Sequence, residues 1–145
     1  MLPSYAAVAT QEIGNIPTTG FVFKDYLRVN EIPDPKIKGI SVYIADFDRP
    51  VTDKLSNVFD DPSSSSISCA QTGPIEITSD ISTSKEGEDI FTENKNIFFK
   101  QIKVKRLYDK ERNTVVYASY SLRFDKNSDD NKSRFKSSLC AVTLH

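Results

Sequence analysis

Apolar positions along the chain mostly recur at every second residue, the spacing of a half-buried strand. Ile40, Val42 and Ile44 alternate with Ser41, Tyr43 and Ala45, which predicts a strand over 37–47. The clearest signal lies further on. Ile102 and Val104 alternate with Gln101, Lys103 and Lys105 in a β-prone run over 97–108. Asp109-Lys110-Glu111-Arg112-Asn113 is a polar turn, and Val116, Ala118, Tyr120 and Leu122 then share one face over 114–122. Together these segments predict a long β-hairpin.

Weaker elements fill the remainder. Residues 1–20 read as a flexible arm, because Gly14, Pro17 and Gly20 interrupt regular structure. Phe21-Val22-Phe23 and Tyr26-Leu27-Arg28-Val29 predict a strand or broken pair over 21–30, with a turn at Ile32-Pro33-Asp34-Pro35. The period changes after Asp48. Val51, Leu55, Val58 and Phe59 fall on one helical face, with Asp48 as cap and Pro50 in the first turn, so a short helix is expected over 49–59. Ser63 to Ser66 is a loop. Ile67 to Ala70 starts a strand closed by Gly73-Pro74, 76–88 is loop or one helical turn, and 89–92 is a short strand. Residues 125–134 are a polar loop, and 139–144 form a last strand that seals an edge. The expected product is mainly β: a single small antiparallel sheet, curled or barrel-like, with one short helix.

Composition narrows the chemistry. In 145 residues, 19 Lys and Arg balance 20 Asp and Glu to a net charge of −1, which excludes a strongly basic nucleic-acid binder. No apolar run is long enough for a transmembrane helix. The one histidine is His145, so mechanisms that need an internal histidine fail. Five scattered glycines form no phosphate-binding loop. Asp125 to Asp129 imitates the start of a calcium loop, but its sixth and twelfth positions hold Asp130 and Lys136, so it reads as a solvated loop. No cofactor or metal is implied. The N-terminus lacks a basic region and reads as an apolar tail, with Ala7-Val8-Ala9 as a cleavage-like alternative.

Cys69 and Cys140 are too few and too distant for a zinc site or a redox pair. One disulfide and two buried thiols are both compatible with them. Lys100, Lys103, Lys105 and Arg106 form a basic stripe near Tyr108. It reads either as a docking face for an acidic partner or anionic headgroups, or as the wet face of an amphipathic strand. Arg106 and Arg112 flank the hairpin turn and are expected to pair with Asp109, Glu111 or nearby acids.

Ile67-Ser68-Cys69-Ala70-Gln71-Thr72-Gly73-Pro74-Ile75 resembles the ISC-x-Q-x-GPI segment of the CreA family of small bacterial proteins. Phe99-Lys100 through Arg112-Asn113 resembles its second hallmark, with Val104-Lys105-Arg106 and Tyr108-Asp109 in place and Leu107 where an aromatic would stand. Tyr117, Ala118 and Tyr120 extend the likeness, as do Phe21 to Lys24 and Asp34-Pro35-Lys36-Ile37-Lys38-Gly39-Ile40, and it covers roughly residues 20–142. The arm over 1–20 would thus precede a CreA-like domain over 21–145.

The resemblance implies a small secreted or periplasmic protein without an assigned enzyme activity, and it passes on no catalytic residue. In the family a second cysteine stands at the place of Val42 and would pair with the one matching Cys69; here Cys140 would take its role. Members also occur in plastid-bearing algae. The implied function is a non-catalytic interaction module, a peripheral subunit on a larger membrane-associated complex such as a photosynthetic one, located in the plastid lumen or stroma. Its partners would be other protein subunits, met through Phe21, Phe23, Lys100, Lys103, Lys105, Arg106 and Tyr108. The alternative is a soluble periplasmic or lumenal binder of a small ligand.

Overall fold

β-Branched and aromatic residues at alternating positions pair into ladders wherever one face can be buried. The computed structural model describes residues 10–18, 25–48, 65–95, 100–123 and 136–145. Eight strands are present: β1 (Gln11–Pro17), β2 (Tyr26–Asp34), β3 (Ile37–Asp48), β4 (Ser65–Ile77), β5 (Glu88–Lys95), β6 (Lys100–Asp109), β7 (Thr114–Arg123) and β8 (Ser137–Thr143). They form two four-stranded antiparallel sheets, β1-β2-β3-β4 and β5-β6-β7-β8, each in chain order. The fold is therefore mainly β, as expected, but it has two layers rather than one curled sheet. A single four-stranded sheet with an apolar face has nothing to bury it against; a second meander supplies the cover.

The core lies between the layers. Ile32 from β2 and Ile37, Ile40, Val42 and Ile44 from β3 meet Ile102 and Val104 from β6 and Val115 and Tyr117 from β7. These side chains are all buried. At one margin of the two layers, β4 and β8 are joined by the Cys69–Cys140 disulfide, with Cα atoms 5.8 Å apart and a sequence separation of 71. Cys69 lies opposite Val42 in the ladder, and Cys140 opposite Tyr117, so the bridge borders the core.

The Gly73-Pro74 segment does not close β4. Ile40 pairs with Gln71 and Lys38 with Glu76, so residues 72–75 arch over Gly39 alone. Gly39 has φ of +91°, and a Cβ there would collide with the carbonyl oxygens of Gly73 and Pro74. Only glycine admits that crossing.

Other expectations shift. Residues 11–17 are an edge strand paired with β2, not part of a flexible arm. Gly14 sits at the bulge and Pro17 at the strand end, positions where an edge tolerates both. The Ile32–Pro35 turn is in fact the end of β2, with the chain reversing at Pro35 and Lys36. Pro33 lies beyond Glu31, the outermost β2 residue with a β1 partner, so β2 has become an edge there. On β7 the shared face of Val116, Ala118 and Tyr120 is the outer one, where they are half-buried, while Val115, Tyr117, Ser119 and Ser121 are buried. The expected helix over 49–59, Phe21 to Phe23 and the loop over 125–134 lie outside the described residues.

Candidate functional site

The strongest constellation of charge is buried between the sheets. Ile102, Val104 and Arg106 are in phase along β6, so the arginine enters the core with them and is 1% exposed. Asp34 ends β2 directly across the layer gap. Arg106 Nε donates to Asp34 Oδ2 at 2.7 Å and Nη2 to Oδ1 at 2.8 Å, a bidentate pair. Tyr117 Oη donates to the same Oδ2 at 2.6 Å, and the backbone N–H of Lys36 donates to Oδ1 at 2.9 Å. Each carboxylate oxygen thus accepts two hydrogen bonds.

The remaining arm of the guanidinium reaches β5. Arg106 Nη1 donates to Glu88 Oε1 at 2.5 Å, and the Ser82 N–H donates to that oxygen at 2.9 Å. Lys36 Nζ donates to Glu88 Oε2 at 2.6 Å and to the Asp80 carbonyl at 2.9 Å. Gly87, with φ of +76°, turns the chain into β5 just before Glu88; a Cβ there would press on the Arg106 carbonyl. A second ion cluster ties Arg28 of β2 to Asp46 of β3 at 3.2 Å and to Glu93 of β5 at 2.7 Å.

Protonation follows from these contacts. The Lys36 ammonium, the Ser82 N–H and Arg106 outweigh partial burial and hold the Glu88 carboxyl down at about 2. Burial works against the Arg106 charge, but Asp34 and Glu88 overcome it and hold the guanidinium above its ordinary value. Burial, and the adjacent Asp34 charge, push the Tyr117 phenol up. All three groups are locked in one protonation state near neutrality. With its acceptor positions filled, Asp34 has nothing left to offer a substrate. The cluster acts as a clasp that joins β2 of the first sheet to β5, β6 and β7 of the second.

The outer face of the second sheet is different. In register, Lys103 lies beside Tyr120 and Ser137, Lys105 beside Ala118 and Leu139, and Leu107 beside Val116 and Ala141. Leu122 is 39% exposed and Leu139 68%. Lys85 and Glu86, from the loop before β5, join Lys105, Leu107, Ala118 and Tyr120 around a shallow concavity of about 370 Å³.

The basic stripe read from sequence is thereby split. Lys103 and Lys105 face outward, and Lys100 opens β6. Arg106 is no surface contact and does not pair with the hairpin turn, because period 2 sends it to the opposite face from Lys105. Tyr108 also points inward, half-buried against the core, and donates to Asn113 Oδ1 at 3.0 Å. Arg112 does pair with Asp109, at 3.0 Å. Phe21 and Phe23 lie outside the described residues. Sequence reasoning takes Glu86, Glu88 and Asp89 for neighbouring carboxylates on a solvated surface and gives Asp34 and Tyr117 no role; Glu88 is instead tied to Arg106 and Lys36. The available signal was an arginine in phase with Ile102 and Val104, which demands a buried acid.

Among the described residues no group of three or more His, Cys, Asp or Glu is placed to hold a metal ion, and no helix is long and apolar enough to cross a membrane. The segments that carry the family resemblance supply the arch and most of the clasp: Asp34, Lys36 and Gly39 come from one, Gly73 and Pro74 from another, and Arg106 from a third, while Glu88 lies outside them.

Comparison with known proteins agrees. The family model described as CreA protein matches residues 13–145. Protein CreA of Escherichia coli strain K12 is 33% identical over 130 residues, covering 83% of this chain and 79% of that protein. The CreA proteins of E. coli O157:H7 and O6:H1 match to the same extent. No solved structure matches. A clasp and an arch built mostly from the resembling segments, together with a match over nearly the whole chain, place this protein in the CreA family.

Proposed function

We propose that this chain is a non-catalytic interaction module that docks on a larger protein assembly through the outer face of its second sheet. The observation that carries this reading is the double-sided apolar character of β7. Val115 and Tyr117 point into the core, yet Val116, Ala118, Tyr120 and Leu122 line the opposite face together with Leu107 and Leu139. A solvated face of an antiparallel sheet is ordinarily polar. A contiguous apolar one marks an interaction surface. The sheet is of a size to contribute roughly 800 Å² to an interface of standard area.

Two further features support the reading. Buried Asp34, half-buried Glu88, Arg106 and Tyr117, the groups that could serve acid–base chemistry, are paired with one another. The disulfide fits an oxidising compartment outside the cytosol, such as a periplasm or a plastid lumen. We assign the protein the role of a peripheral subunit there, on a membrane-associated complex.

Gentle detergent fractionation of the native source tests this. Comigration with a large assembly, lost in a Leu139→Glu variant of unchanged melting temperature, is the expected result. Migration near monomer mass for both forms overturns it and favours a soluble ligand binder.

A further inference from the structure

Resting on that docking face, we propose that its partner presents an extended acidic segment, with carboxylates at alternate positions set over Lys103 and Lys105 and apolar side chains on Leu107, Ala118 and Tyr120. Three observations lead there.

The first is spacing. Lys103 and Lys105 lie on the same face of β6, two residues apart and so about 7 Å along the strand. Alternate residues of an extended partner have the same repeat. Such a segment, laid along β6, would bring one carboxylate to each ammonium in register.

The second is that this spot already accommodates a carboxylate, loosely. Asp89 Oδ2 stands 3.7 Å from Lys103 Nζ, and Oδ1 stands 3.9 Å from Lys105 Nζ. Both distances exceed hydrogen-bond range. The Asp89 side chain is 54% exposed, whereas the two lysines are 23% and 27% exposed. Among the described residues Lys105 Nζ otherwise finds only the Glu86 carbonyl, at 3.2 Å. An exposed acid shared between two lysines is a weak partner that a better-placed carboxylate displaces. Lys85, on the rim of the concavity, has no partner among the described residues.

The third is the floor. The concavity between Lys85 and Lys105 is lined by Leu107, Ala118 and Tyr120. It is shaped to receive a side chain rather than to lie flat on a bilayer. The net charge of −1 and the acids Glu86 and Asp89 beside the lysines also disfavour adsorption to anionic lipid, which scales with accumulated positive charge.

The test uses the full chain labelled with nitrogen-15 and followed by NMR. The probe is acetyl-Glu-Ser-Glu-Ser-Leu-amide, which puts both carboxylates and the leucine on one face of an extended segment, with the matching glutamine peptide as control. The acidic peptide is expected to shift the amides of Lys103, Lys105, Leu107, Ala118 and Tyr120, and the glutamine peptide to bind about tenfold more weakly. A K103Q/K105Q double variant should weaken binding by about the same factor, while Asp89→Asn should tighten it about threefold by removing the internal competitor. Equal shifts with both peptides, no shifts on this face, or cosedimentation with phosphatidylglycerol vesicles without peptide binding each overturn the proposal. Should the peptide fail while Leu139→Glu still detaches the chain from its native assembly, the docking face stands and the acidic segment falls.

Discussion

Replacing Arg106 by methionine removes the guanidinium but keeps most of its apolar stem. Asp34 then retains only Tyr117 and the Lys36 N–H, in a position where its side chain is 0% exposed. Stranding one member of a buried ion pair typically costs 3–5 kcal/mol, so a loss of about 4 kcal/mol is expected. For a chain of this size that lowers Tm by roughly 10–15 °C, and it consumes a large part of the stability of an ordinary domain. Urea unfolding followed by circular dichroism, with the disulfide intact, measures it; an unchanged m-value keeps the comparison valid. A double variant, Arg106→Met with Asp34→Leu, tests the cause. It removes both charges, and replacing a whole buried pair with apolar groups is often close to neutral. The double variant should therefore be more stable than Arg106→Met alone. A loss under about 1 kcal/mol in the single variant, or a double variant no better than it, would refute a clasp held by that pair.

Four other outcomes follow from the same geometry. Glu88 is held at about 2 against an ordinary value of 4.5, so its contribution is present above about pH 4.5 and is lost as pH falls toward 2; the full shift corresponds to about 3 kcal/mol, discounted to roughly 1–2 for a side chain that solvent partly reaches, and Glu88→Gln should flatten that acid limb in denaturant midpoints measured across it. The raised Tyr117 phenol favours the neutral form in the fold, so stability should be complete below pH 10 and decline above it, and a Tyr117→Phe variant should lose that alkaline decline in denaturant midpoints measured across it. Gly39→Ala should cost about 2 kcal/mol or more, read by chemical denaturation, because a left-handed φ and the arch both reject a Cβ. Cys140→Ser should lower stability by about 4 kcal/mol in the chain-entropy view, and intact mass without reductant should show one free thiol in the variant and none in the parent.

The clasp and the outer face divide the chain's polar chemistry. Charges that the family segments bring together are spent on joining layers, whereas charges beside Tyr120 and Leu139 stay exposed or half-exposed. That division is why the functional reading rests on a surface rather than on the densest ionic cluster.

By itself the sequence determined the strand class and the hairpin. Alternation at 40–44 and 102–104 leaves only one face per strand to bury, and a polar turn at 109–113 leaves antiparallel return as the simplest course. Its resemblance to the CreA family also singled out the segments around Asp34, Gly73 and Arg106. Only the tertiary structure decided what they do. On β7 both phases are apolar, so periodicity could not choose between Tyr117 and Tyr120; the hydroxyl of Tyr117 reaching Asp34 from the other layer did. Nor could local pattern show two layers instead of one, since what pairs β4 with β8 through Cys69 and Cys140, or Asp34 with Arg106 across 72 residues, is contact between distant parts of the chain. Local spacing governs which way a side chain points within its strand, and packing governs what it finds there.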